Sequence, residues 1–320
     1  MFRRATPARW PRLAVLLAVL GIALPVMATT ARADVPLPNC DVDCSPDPTG
    51  GDTGGGSTTG EGGVALGGSN VVLASPERGF LQWPGVAGAN DVAASNDGSV
   101  WVITGSSTNR IEGGAFGGPS SFPTGGMRLA VDPTGHPWMV GFDNRIWRGN
   151  ADGSVTQMPG LARDIGIGGP IGSAGSIWVI GTNPRNDSWQ VYAWTGSGWV
   201  PDPGSGQSID VDSAGEPVVN GADYKIWIKN GGANQGWSLL SGRATDMSEG
   251  HGSPSGFPGS ANLWIIGHDS RSAPGNFGVW ERTGVDMWTL VNQTFGGTRI
   301  AVNTEGTAWV VRSDGTLWDG

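Results

Sequence analysis

The sequence predicts an all-β protein, a six-bladed β-propeller of four-stranded antiparallel blades. Three observations carry that prediction. Gly makes up 56 of the 320 residues, where an average chain has roughly 7%. All but one of the 16 Trp lie beyond residue 80. A short apolar piece centred on Trp then recurs six times along the chain. Only 15% of residues are charged, which excludes a coiled coil. Gly follows no three-residue period, which excludes collagen. Bulk disorder is excluded by the aromatic content of the C-terminal part.

The N-terminus has the form of an export signal. Arg3, Arg4, Arg9 and Arg12 are a basic lead, Leu13 to Met27 an apolar core, and Ala31-Arg32-Ala33 a small-x-small cleavage site. The core is too short for a comfortable membrane span, so residues 1–33 are expected to be a signal peptide removed after Ala33. No other apolar run is long enough to cross a bilayer as a helix, and a secreted, extracellular protein without a transmembrane segment is expected. Removing 1–33 takes away five basic residues and no acidic ones. That leaves 14 Lys/Arg against 28 Asp/Glu, a net charge of −14. Such a chain is a poor partner for nucleic acid, where affinity comes from neutralising phosphates.

Residues 34–70 are rich in Gly, Pro, Ser and Thr and are expected to be a disordered linker, because they bury too little apolar surface to offset ordering entropy. The two Cys, Cys40 and Cys44, fall here. Export allows a disulfide between them, and two free thiols remain the alternative. They lack the four ligands of a structural zinc site. The folded domain is expected over residues 71–320.

The repeat is clearest in the second piece of each unit. Trp101, Trp138, Trp178, Val218, Trp264 and Trp309 occupy the same place, at spacings of 37, 40, 40, 46 and 45. Before each lies a short apolar piece, headed by Asp91, Arg128, Asp164, Ser208, Asp246 and Arg299. A third piece follows at Ile111, Ile146, Val191, Ile226, Val279 and Leu317. The fourth begins near Phe80, Phe122, Val155, Trp199, Trp237 and Trp288. Each run is too short for a helix and is bounded by Gly, Asp-Gly or Pro-Gly, so each unit reads as four short strands. Four strands repeated at this period describe propeller blades.

The units alternate. In the second, fourth and sixth, nine residues separate the Trp position from the third-strand aromatic, and Asp143, Asp223 and Asp314 sit at matching points. Odd units have longer second-to-third-strand connections and an Asp at the head of the first strand. The six head residues are expected to ring one mouth of a central tunnel. The chain ends at the third strand of the sixth unit, while Phe80-Leu-Gln precedes the first unit as a fourth-strand piece without a blade. Closure by pairing of this N-terminal strand with the C-terminal blade is therefore expected.

Segments 128–148 (RLAVDPTGHPWMVGFDNRIWR) and 208–228 (SIDVDSAGEPVVNGADYKIWI) resemble tectonin repeats, and the resemblance extends over all six units. The family is similar to six-bladed propeller lectins of the tachylectin and fish-egg-lectin kind. The resemblance implies a lectin for cell-surface or envelope glycans, lipopolysaccharide and methylated sugars among them. Binding without catalysis, and without a cofactor or metal, is expected, with calcium ligation at Asp97-Gly98 or Asp314-Gly315 as a rival reading of two turns. Val218 in place of Trp, the insertions of units three and five, and Glu112 in place of the first unit's third-strand aromatic depart from the pattern.

No H-E-x-x-H, G-x-S-x-G or P-loop occurs, and His136, His251 and His268 lie in different units. An exported polysaccharide hydrolase or lyase on the same scaffold, or a protein-interaction platform, stays open as an alternative. The repeating Trp are expected in the core between blades. Residues outside the pattern are the candidate sugar contacts: Trp189 and Trp194 flank the long third-unit connection, and Asn144, Arg145, Tyr224 and Lys225 occupy matching tips of even hairpins. An indole face stacks on the C–H face of a sugar while polar neighbours bond its hydroxyls.

Overall fold

A computed structural model describes residues 78–95, 97–112, 115–122, 125–229, 236–250, 263–271 and 275–320. The expected signal peptide and linker, Cys40, Cys44, Val71 and His251 lie outside the described residues.

The described chain is all-β. It opens with β1 (Leu81–Gln82). Unit one supplies β2 (Ala89–Ala94), β3 (Val100–Thr104), β4 (Ser107–Glu112) and β5 (Ala115–Phe122). Unit two supplies β6 (Arg128–Val131), β7 (Pro137–Val140), β8 (Arg145–Gly149) and the start of β9 (Val155–Gly168), whose later half is the first strand of unit three. Unit three continues with β10 (Ser176–Arg185), β11 (Ser188–Trp194) and β12 (Trp199–Gly206). Unit four is β13 (Ser208–Val211), β14 (Pro217–Asn220), β15 (Lys225–Lys229) and β16 (Trp237–Arg243). Unit five is β17 (Asp246–Glu249), β18 (Leu263–Arg271), β19 (Asn276–Gly284) and β20 (Met287–Leu290), with β21 (Gly296–Gly297) also paired to β19. Unit six is β22 (Arg299–Val302), β23 (Ala308–Val311) and β24 (Leu317–Asp319). Within each unit consecutive strands pair antiparallel. β1 pairs antiparallel with β24, Leu81 opposite Asp319 and Gln82 opposite Trp318.

These antiparallel sheets have a propeller-like arrangement. The first strands lie side by side: β2 contacts β6 and β22, β9 contacts β6 and β13, and β17 contacts β13 and β22. The repeating second-strand residues are buried between sheets, Trp101, Trp138, Trp178 and Trp264 at 2–3% exposure and Val218 at 0%. Each apolar cluster draws on two consecutive units. Trp138 and Val140 meet Ile165 and Val179, and Trp178 and Ile180 meet Ile209 and Val219. One cluster joins unit six to unit one through Trp309, Val311, Val92 and Val102. Truncating one such Trp to Ala costs about 3–5 kcal/mol, so a scaffold of many small sheets becomes rigid through its interfaces.

Turn chemistry sets the strand lengths. In the first hairpin of units two, four and six, Asp132, Asp212 and Asn303 accept, through Oδ1, backbone N–H groups two and four residues on. Gly135 and Gly215 close two of these turns at φ of 86° and 87°, a region that favours Gly.

Three strand boundaries differ from the sequence expectation. The fourth strand of unit two and the first of unit three form one strand, β9, because Gly160 takes φ of 87° and turns the chain without breaking its ladder. The unit-one fourth strand ends at Phe122 rather than beginning there, since backbone pairing with β4 holds a Gly/Ser-rich segment without apolar period. The long odd-unit connections are extended hairpins. In unit three Arg185 pairs with Ser188 across a two-residue turn, and Asn186 and Asp187 there have φ of 47° and 59°, as a type I′ turn requires.

Candidate functional site: the channel mouth and an inter-unit cleft

The head residues build a polar collar with an approximate threefold pattern. Asp91, Asp164 and Asp246, each buried, direct Oδ2 at the next even unit's first strand. They accept the backbone N–H of Leu129 at 2.8 Å, Ile209 at 3.0 Å and Ile300 at 2.9 Å. The even units answer with their hairpin tips. The carbonyls of Asn144, Tyr224 and Gly315 accept the N–H of Ala162, Ala244 and Ala89 at 2.8–2.9 Å. Each of those Ala stands two residues before a collar Asp. The alternation of the sequence is thus an alternation of couplings, side chain to backbone in one direction and tip to strand in the other.

The charges break the symmetry. Arg128 places Nε 3.4 Å from Asp164 and Nη1 3.3 Å from Asp246. Arg299 Nε stands 4.0 Å from Asp91. At the third even position Ser208 instead donates its hydroxyl to Asn220 Oδ1 at 2.9 Å. Three carboxylates therefore face two guanidinium groups, and Asp210 adds a fourth carboxyl to the same channel, a space of about 40 Å³. Burial pushes the Asp91 carboxyl up to about 7; Arg128 opposes this and Asp246 adds to it. Burial likewise takes Asp210 to about 7, against the N–H bonds from Glu249 and Val211. Burial works against the Arg128 charge too, but Asp164, Asp246 and Asp91 outweigh it and hold the guanidinium protonated. The expected head residues come together, though their strongest pairs radiate from Arg128 and do not alternate from one unit to the next.

Above this collar the channel widens into a cavity of about 530 Å³, with Arg128, Arg163, Arg299, Asn144, Gln207 and Thr245 in its wall. Among the described residues, no carboxylate side chain lines this mouth. A second cavity, about 410 Å³, lies between units three and four. The tips carrying Asn186 and Asp187 on one side and Asp223 on the other enclose it, with Trp227 and Trp237 in its wall. Trp237 is oriented by Asp202, whose Oδ1 accepts Nε1 at 2.8 Å. Asp202 also pairs with the buried Lys229 at 2.7 Å.

The expected sugar contacts fall into separate places. Asn144 lines the mouth. Trp189 does so indirectly: it is half-buried and carries the Arg163 guanidinium on its ring at 4.0 Å. Trp194 belongs to the other end of β11 and packs against Trp199 at 4.9 Å between ring centres. Trp194 stands five steps along the strand from Trp189, roughly 17 Å, so they form no common platform. Arg145 and Lys225 pair with the Asp of their own tips, Asp143 at 3.4 Å and Asp223 at 3.3 Å. Tyr224 packs against His268 with the rings tilted at 45° and 4.1 Å between ring centres. His136 is engaged within its own turn by Thr134 Oγ1 at 2.7 Å. Sequence reasoning missed Arg163, Asn186, Asp187 and Trp237. The type I′ pair Asn186-Asp187 carried a turn signal, whereas nothing local marked Arg163.

No protein-family model matches the chain, and its sequence matches no curated protein. Among solved structures it is similar to YCF48 bound to D1 peptide, at 13% identity and a TM-score of 0.44, over 78% of this chain and 96% of that one. It is similar to the WD40 domain of Neurospora crassa Pan2, at 10% identity and a TM-score of 0.47, over 76% and 94%. A third is a structural genomics protein of unknown function from Bacteroides thetaiotaomicron, at 11% identity and a TM-score of 0.46, over 76% and 72%. Likeness at this level transfers no activity or partner.

Proposed function

We propose that the protein is an exported propeller lectin that binds glycans without cleaving them. The observation that carries this is the cleft between units three and four. It combines Trp227 and Trp237 with Asp187, Asp223, Asn186 and Ser205 in one 410 Å³ cavity. Indole surface suits the C–H face of a sugar ring, and carboxylate, amide and hydroxyl groups suit its hydroxyls. The scaffold is a closed ring of six blades in this reading. Apolar clusters between successive units, the cluster joining unit six to unit one, and the β1–β24 ladder support it. Cell-surface and envelope glycans, lipopolysaccharide and methylated sugars included, are the proposed ligands.

A glycan array with the exported chain tests the reading, followed by Asp223→Ala and Asp187→Asn. Binding that survives washing and weakens in both variants is expected, with no product released from the bound polysaccharide. Silence on every glycan overturns the lectin reading. Release of shortened saccharides would replace it with a hydrolase or lyase.

A further inference from the structure

We infer that the channel mouth is a second ligand site, one that takes the carboxylate of an acidic sugar such as a hexuronate. The choice of a sugar as carrier rests on the lectin reading; the capture of the carboxylate does not. The mouth is separate from the cleft between units three and four, and the two share no lining residue.

The cavity wall supplies cationic charge of three different standings. Arg128 is occupied by Asp164 and Asp246 and forms a fixed floor. Arg299 is only loosely engaged. Its Nε is 4.0 Å from Asp91 and has no hydrogen-bond partner, and Nη1 donates to the Thr298 carbonyl at 2.8 Å. Arg163 is exposed, stacked on Trp189 at 4.0 Å, and pairs with no carboxylate among the described residues. A guanidinium held over an indole face keeps N–H donors for a carboxylate, and the contact removes part of the side-chain entropy that capture would otherwise cost. Two underused guanidinium groups thus line one cup, and among the described residues no acid stands in its wall.

The rest of the wall suits a sugar better than a bare anion. Asn144, Gln207 and Thr245 offer neutral donors and acceptors, and Phe142, 65% exposed, offers an apolar face. The volume, about 530 Å³, is in the range of small-ligand sites. The collar beneath couples the site to pH. Asp91 faces Arg128, Asp246, Arg299 and Asp164. Its protonation removes the negative charge closest to Arg299 and leaves that guanidinium to the ligand. A hexuronate stays ionised over the same range, so its affinity rises as pH falls through neutrality.

Calorimetric titration of the exported chain with D-glucuronate, D-glucose and acetate tests this. Glucuronate is expected to bind, more tightly at pH 6 than at pH 8, with glucose and acetate each much weaker. Arg163→Gln is expected to weaken glucuronate about tenfold, with the melting temperature unchanged because Arg163 is exposed. Arg163→Lys should restore part of the loss. In Asp223→Ala, in the cleft, glucuronate affinity that stays at the parent's value supports the mouth as the site, and a fall as large as that in Arg163→Gln places the sugar in the cleft and overturns the inference. Glucuronate no tighter than glucose, an unchanged affinity in Arg163→Gln, or affinity that rises with pH overturns the inference. Acetate binding as tightly as glucuronate overturns the acidic-sugar assignment and leaves a simple anion.

Discussion

Arg128 reaches past its neighbour. Its Nη1 lies 3.3 Å from Asp246 Oδ1, which joins the second unit to the fifth, while its Nε is 3.4 Å from Asp164 in the third. Ser208 stands where a third collar Arg would serve Asp246 locally, so the long reach compensates for a missing cation. Removing one partner of a buried pair leaves an uncompensated charge, at about 3–5 kcal/mol. Arg128→Met alone should lose that much in denaturant unfolding. Asp246→Asn added to it should recover part of the loss, because one of the two orphaned carboxylates disappears while Asn keeps an acceptor for Ile300 N–H, and Asp164 stays without its Arg. A double variant no more stable than Arg128→Met would show that the collar is held by packing and not by charge.

The carboxyls of Asp91 and Asp210 hold their protons more tightly in the folded protein than in the unfolded chain, since both are pushed up to about 7. Their contribution to stability is therefore full below about pH 4, where an ordinary Asp is protonated too, and is lost as pH rises through 7. Asp210→Asn removes one of these titrations and keeps an acceptor for Glu249 N–H. Its unfolding free energy should fall less than the parent's between pH 4 and 8, leaving it about 1 kcal/mol the more stable at pH 8. Parallel pH profiles for the two proteins would refute the assignment.

Segment 78–84 makes contacts far from its place in the sequence. Trp83 N–H donates to the Leu317 carbonyl at 2.8 Å, the Trp83 ring lies 5.1 Å from that of Trp309, and Phe80 stacks on Phe295 at 4.0 Å. Deleting residues 71–84 removes all of these and exposes β24 as an edge strand. A loss of about 3 kcal/mol or more is expected. A deletion of residues 34–69 leaves every one of these contacts in place and should melt close to the parent. Equal melting of the two truncations would mean that β1 contributes nothing to the fold.

The strands and their interfaces were legible because short-range rules decide them: a Trp or Val every blade, Asp-Gly turns, and Asp143 and Asp223 whose Oδ1 accepts the N–H two residues on. The threefold alternation was visible in the same residues, since collar Asp and even tips recur at fixed places. What joins one unit to another was not. Arg128 to Asp246 spans 118 positions. Nor was a contact inside unit three, where Arg163 on β9 lies over Trp189 on β11 although β10 stands between the two strands. Trp189 was singled out as a platform for sugar, while its ring face is taken by an Arg. A repeat pattern fixes where a side chain stands on its own strand; what covers it comes from a strand further across the sheet or from another unit, which the pattern does not describe.

Tyr224 occupies a backbone position that its equivalents reserve for small or amide side chains. Its φ is 64°, matched by Asn144 at 64° and Gly315 at 75°, and a bulky residue there carries about 1–2 kcal/mol of strain. The ring rests on His268 at 4.1 Å and is 38% exposed, so the contact returns about 0.5–1.5 kcal/mol at most. The two contributions separate in a double-mutant cycle. With His268→Ala as background, Tyr224→Asn relieves the strain with nothing to lose and should stabilise by about 1 kcal/mol. With His268 present the gain should shrink toward zero. Asn144→Gly, at the equivalent tip, serves as the control and should change stability by only a few tenths of a kcal/mol. Destabilisation by Tyr224→Asn in both backgrounds would mean that this backbone is not strained, and that the Tyr is held by packing rather than retained at a cost for an exposed aromatic face.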